Sequence, residues 1–255
     1  MSLSGGAAAA LGSLVGAATG SGPYRTPALL AGLSAAVAGA YDDLLAARSE
    51  QREDKGWRGH VRAARSGRLS GGTVKVVVIG AGALAAGARA TATHAARDSA
   101  AGDSAATENA VRPPASQVLR DAALIAGTAN LVNLFDLRPG RAGKVALVAA
   151  LVTGGGPAGP LSAAVAGAAA TTLPGDVAER RMLGDLGANT LGALLGVRLA
   201  SARPGVRNTA LAVVVALTAA SEHISFSAVI NSTPALRAVD RWGRRPADAD
   251  AASLQ

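Results

Sequence analysis

Asn130-Leu-Val-Asn133-Leu-Phe-Asp136-Leu-Arg138-Pro-Gly140-Arg141-Ala-Gly-Lys144 closes an apolar run that begins at Ala122. Residues three apart on a helix share a face. Asn130, Asn133 and Asp136 are therefore expected as one polar stripe at the end of an otherwise apolar helix. Three bases and two glycines follow at once, a composition that suits a turn beside an anion. Taken alone, the stretch reads equally well as a helix C-terminus fraying into a basic loop. Two further stretches tip that balance: Tyr41-Asp42-Asp43 and Met182-Leu-Gly184-Asp185-Leu-Gly187-Ala-Asn189.

The 255-residue chain is long enough to bury a sizeable core in one domain or two small ones. Half of it is apolar, mostly Ala, Val and Leu, with only six aromatic residues and 32 glycines. Glycine at that level is high for a soluble helical protein and ordinary for packed membrane helices, where small residues let backbones approach. Without cysteine there is neither a disulfide framework nor a thiolate metal site. A formal charge of +8 admits nucleic acid, anionic lipid or a phosphorylated substrate as partner. The charges lie in blocks between uncharged runs, not as a stripe along a helix, which points to basic loops of a membrane protein and away from nucleic acid. Residues 1–22 lack the basic start of a secretory signal.

Apolar runs occupy 3–22, 28–41, 72–90, 117–135, 145–155, 160–173, 186–202 and 208–220. The fold expected is all-α: a polytopic membrane protein of about eight transmembrane helices, several shorter than the usual span of roughly 20 residues. Residues 1–222 form this membrane domain, with a cytoplasmic loop at 42–71, and 223–255 form a basic cytoplasmic tail whose end is disordered. Hydropathy alone also allows a soluble Ala-rich bundle. Alternating the runs across a membrane separates the two readings. It puts Asp42, Asp136 and Asp185 on one side, together with most loop bases from Arg48 to Arg68, then Arg138, Arg141, Lys144, Arg180 and Arg181. That asymmetry marks cytoplasmic loops of a plasma-membrane protein.

Val76-Val77-Val78-Ile79-Gly80-Ala-Gly82-Ala-Leu-Ala85 imitates a dinucleotide-binding fingerprint. The second strand and its terminal acidic residue are missing about 20 residues on, so the run reads as a helix-packing face of small residues. Gly140 to Lys144 lacks the spacing of a P-loop.

Paired carboxylates at Asp42 and Asp43 oppose the dipole of a helix C-terminus, and so call for a cation. Asp185, between glycines at a helix start, is either an ordinary N-cap or a carboxylate beside N–H groups able to receive a phosphate. Three Asp positions at helix ends on one face suggest a magnesium and diphosphate site. Mg²⁺ takes one or two carboxylates plus substrate oxygens, and basic loops hold the rest of the anion. His60, His94 and His223 are scattered and carry no metal role.

The order Asp-Asp, then N-x-x-N-L-x-D, then M-x-G-D-x-G resembles the polyprenyl-phosphate N-acetylhexosamine-1-phosphate transferases over residues 27–196. The resemblance implies transfer of a sugar-1-phosphate from a UDP-sugar to polyprenyl phosphate, with Mg²⁺ as cofactor and UMP as product. It implies catalytic roles for Asp42, Asp43 and Asp136, metal ligation by Asp185, and substrate contacts from Asn130, Asn133, Arg138, Arg141, Lys144 and Asn189. The partners implied are polyprenyl phosphate, UDP-sugar and membrane lipid, with no nucleic acid; a homodimer is left open. The family's second Asp is Pro139 here, the glycine after the first is Leu137, and its His-rich loop is reduced to Glu222-His223. A non-catalytic relative, acting as a scaffold or lipid-phosphate binder in envelope assembly, therefore stands as the alternative. Met1-Ser-Leu-Ser-Gly-Gly resembles the middle of the loop after the family's first helix, implying an upstream extension.

Overall fold

Prolines and glycines divide the chain where the sequence predicts. A computed structural model describes residues 2–20, 22–47, 71–101 and 112–244. Among these residues there are ten α-helices: α1 (Ser4–Gly20), α2 (Arg25–Ala47), α3 (Gly71–Ala100), α4 (Ala115–Phe135), α5 (Arg141–Val152), α6 (Gly159–Val177), α7 (Gly184–Ala200), α8 (Pro204–Ser221), α9 (Phe226–Ser232) and α10 (Pro234–Arg241). Pro160, Pro204 and Pro234 sit in the first turns of their helices, where a missing N–H costs nothing. The described residues hold no strand, only an isolated bridge between Ser2 and Arg181. Val76 to Ala85 lies inside α3, so the dinucleotide-like run is helical, and Gly82 packs directly on Ser34 of α2. Of the loop expected at 42–71, residues 42–47 continue α2 and Gly71 opens α3; residues 48–70 and the tail beyond 244 fall outside the described residues.

The bundle is built around α7. Thirteen of its 17 residues are buried, among α1, α2, α4, α5 and α6. A helix with no polar face is stable only when enclosed, and α7 has glycine where its neighbours come closest. A Cβ on Gly192 would lie 2.7 Å from Ala129 Cα, and one on Gly196 would lie 2.6 Å from Ile125 Cα. This four-residue spacing of small residues brings α4 and α7 into backbone contact, as between membrane helices. Gly39 of α2 likewise rests on the main chain of Asp185 and Leu186.

Large apolar side chains point outward. Leu11, Val15, Leu33, Val37, Val77, Val148 and Leu151 are exposed, and Val152 is 81% exposed, while the interior is mostly alanine with a core of Leu124, Ile125, Leu161, Leu191, Leu194 and Leu195. Water would expel such a surface; hydrocarbon would not. Three segments, Gly22–Leu45, Gly72–Ala100 and Ala115–Phe135, are long and apolar enough to cross a membrane. The pair α8 and α9, bent by 94°, makes a fourth candidate. Each of the eight apolar runs contains a helix, but eight spans are more than length and composition support. At 12 residues α5 is about 18 Å long, against roughly 30 Å of hydrocarbon.

Residues 223–244, the start of the basic tail, fold back onto the bundle. Phe226 stacks on Phe135 with ring centroids 5.2 Å apart. Asp240, 6% exposed, inserts beside Arg141.

A candidate cation and phosphate site at the helix ends

The first turn of a helix leaves its N–H groups without partners, and at α7 the N-cap residue Leu183 supplies no side-chain acceptor. Asp43, near the end of α2, fills that role from another helix. Its two carboxylate oxygens accept from the Asp185 and Leu186 N–H groups, each at 3.0 Å. Gly184 makes room for it: φ is +62°, and a Cβ there would lie 3.0 Å from Asp43 Oδ2. The cap of α7 is therefore Asp43, and Asp185, in the first turn, is free for other contacts.

Asp185 uses that freedom to meet Lys75, in the first turns of α3. Lys75 Nζ lies 2.5 Å from Asp185 Oδ2 and 3.4 Å from Asp42 Oδ2. Asn133, in the last turn of α4, completes the group. With its amide set to match both neighbours, it donates to Asp185 Oδ1 at 2.9 Å and accepts from Lys75 Nζ at 3.0 Å. Two carboxylates and an amide oxygen thus converge on one point, and a lysine ammonium occupies it.

Asp136, the C-cap of α4, stands beside this cluster. Burial is the main reason its carboxyl is pushed up to about 7. The neighbouring charges of Asp176, Asp185 and Asp43 add to the rise, and the Gly184 N–H, which donates to it, opposes it. Asp176 of α6 accepts from the Gly140 N–H at 3.0 Å and so holds the turn after α4 in place. Gly140 is required there, with φ +76° and Val177 against its Cα. Arg138 is exposed and borders a small open cavity with Asp136, Pro139, Asp176 and Met182.

The remaining sequence candidates divide. Asn189 is fully buried one turn below Asp185; its Nδ2 donates to the Asp185 carbonyl at 2.7 Å, leaving Oδ1 buried without a partner. Asn130 does not join the cluster: it is exposed on the side of α4, while its neighbour Ala129 faces Gly192 of α7. Arg141 and Lys144 face away from it. Arg141 Nε donates to Asp240 Oδ1 at 2.7 Å and Nη1 to Ser227 Oγ at 2.9 Å. Lys144 Nζ donates to the carbonyls of Val239 and Asp240 at 3.0 and 2.8 Å. Both bases are thus engaged by the folded tail.

Lys75 and Asp176 were not among the candidates. Lys75 did leave a signal, as the lone charge in the valine-rich run 72–88. A charge inside an apolar span is expensive and marks a functional position. Asp176, after Pro174-Gly175 at a helix end, left none of that strength.

Among the described residues no group of three or more His, Asp or Glu side chains forms a ready-made metal cage. The donor set nonetheless fits Mg²⁺, which needs only one or two carboxylates when phosphate oxygens complete its shell. Asp42 and Asp185 already share a cation, the Lys75 ammonium. Compared with known proteins, the chain matches no family model, no curated protein and no solved structure.

Proposed function

We propose that this chain is a polytopic membrane enzyme that transfers a sugar-1-phosphate from a UDP-sugar to polyprenyl phosphate. The observation carrying this reading is the meeting of three motifs far apart in sequence. Asp42 and Asp43, Asn133 and Asp136, and Asp185 come together at one end of the bundle around a single cation position.

Mg²⁺ bound there would neutralise charge on the phosphate oxygens of both substrates. Asp42 and Asp185 would hold it, Asn133 would fix the orientation of Asp185, and Asp43 would keep the start of α7 in place. Displaced Lys75 and exposed Arg138 remain to pair with phosphate oxygens. A lipid phosphate oxygen attacks the sugar-bearing phosphorus, the bond to the UMP oxygen breaks, and UMP leaves. Such a transfer relies on positioning and charge neutralisation, not on a protein nucleophile. The side of the membrane, cytoplasmic in this reading, follows from the loop bases.

A second reading has its own support: Arg141 and Lys144 are held by the tail, and Pro139 stands where the resembled family has an Asp. On that reading the chain binds a lipid phosphate as a scaffold without turnover. Purified protein incubated with Mg²⁺, polyprenyl phosphate and a panel of UDP-sugars separates the two. Release of UMP supports the transferase; lipid-phosphate binding without UMP from any sugar supports the scaffold.

A further inference from the structure

α8 ends at Ser221, and α9 departs from it at 94°. A helix turned at right angles from a spanning one runs along the membrane surface. The tail is held at the end of the bundle carrying the Asp cluster by Phe226 on Phe135 and by Asp240 on Arg141. What this anchorage leaves outward on α10 is not a polar face. Leu236, Val239 and Trp242, three residues apart, are 47%, 59% and 71% exposed. Arg237 and Arg241 are exposed on the other, polar side of the helix.

A tryptophan and two aliphatic side chains beside two bases are the composition of a helix lying in a membrane interface. The indole belongs at headgroup depth, and arginine reaches lipid phosphates while its stem stays apolar. We propose that α10 and Trp242 form an interfacial anchor on anionic lipid. Leu236, Val239 and Trp242 enter the acyl boundary, and Arg237 and Arg241 pair with lipid phosphates. The bases select anionic headgroups. The combination of an apolar strip with two bases on one short helix favours an anionic bilayer over a protein partner. The inference requires α8 to cross the bilayer and makes no use of the transferase reading.

The chain has two tryptophans, so Trp57→Phe leaves Trp242 as the sole reporter. The full chain is reconstituted in phosphatidylcholine vesicles with and without phosphatidylglycerol. Trp242 emission should shift to the blue, be quenched by lipids brominated near the headgroup and be shielded from iodide. All three effects should grow with phosphatidylglycerol. Arg237→Glu with Arg241→Glu should abolish that dependence. Emission that iodide quenches freely and brominated lipid leaves unchanged in both compositions overturns the anchor and points to a protein partner. Protein that carbonate strips from the vesicles also overturns it, because α8 then spans nothing. UMP release is not read, so the transferase stands or falls separately.

Discussion

Lys75 Nζ lies 2.5 Å from Asp185 Oδ2, across 110 residues of chain, and the ammonium is the cation that the clustered carboxylates otherwise lack. Lys75→Met keeps the stem and removes the charge, leaving Asp42 and Asp185 facing each other. Unfolding stability should fall by about 1–3 kcal/mol. Mg²⁺ should then raise the thermal midpoint of the variant more than that of the parent, where it must first displace the lysine. Equal Mg²⁺ effects in the two proteins would mean that lysine and metal do not share a site.

Asp43 serves as the cap of α7 from a different helix. Asp43→Ala should cost about 1–2 kcal/mol, the usual loss for a helix cap, and Asp43→Asn less, because one oxygen still accepts. Gly184→Ala should cost about 1–2 kcal/mol through its left-handed φ, and it should also displace Asp43. Because both changes loosen the first turn of α7, a combined variant should lose less than their sum. Strict additivity in thermal unfolding would refute the shared cap.

Asp136 titrates near 7 in the folded protein, above the ordinary carboxylate value. The folded state therefore holds a proton that the unfolded state has released, and its contribution is greatest at low pH. That contribution is full below about 4 and is lost as pH rises to about 7. Asp136→Asn, neutral throughout, should flatten this part of the stability profile. A variant profile that parallels the parent between about pH 5 and pH 8 would show that Asp136 is already ionised.

Arg141 and Asp240 form a buried pair, so removing one partner strands the other. Burial alone would raise the Asp240 carboxyl, yet the Arg141 hydrogen bond and the nearby Arg141, Arg244 and Lys144 charges hold it below its ordinary value. Arg141→Ala should destabilise by about 3–5 kcal/mol and free the tail for protease. Arg141→Met with Asp240→Leu should recover much of that loss. UMP release by this double variant at the parental rate would assign Arg141 to the tail alone; a raised KM for the UDP-sugar would return it to the substrate.

Asp185→Asn keeps the amide–carbonyl shape and weakens the cation site. Turnover should vanish, while Asn133→Ala should mainly raise the KM for the UDP-sugar. Parental UMP release from Asp185→Asn would remove Asp185 from the chemistry.

The all-helical architecture and the meeting of Asp42, Asp43, Asn133, Asp136 and Asp185 were legible in the linear chain. Apolar runs with proline and glycine between them can satisfy their main-chain groups within helices, and alternating such helices brings every second end together. Composition also foretold the packing, since glycine and alanine allow the contact that Gly192 and Gly196 make with α4. Three things depended on tertiary structure. Lys75 pairs with Asp185, Asp43 caps a helix that begins 141 residues later, and Arg141 pairs with Asp240. Periodicity places a side chain on a face of its own helix but carries no information about which helix lies opposite. The partner of a charge is set by how the helices rotate and pack, and that arises only when the whole bundle closes around α7.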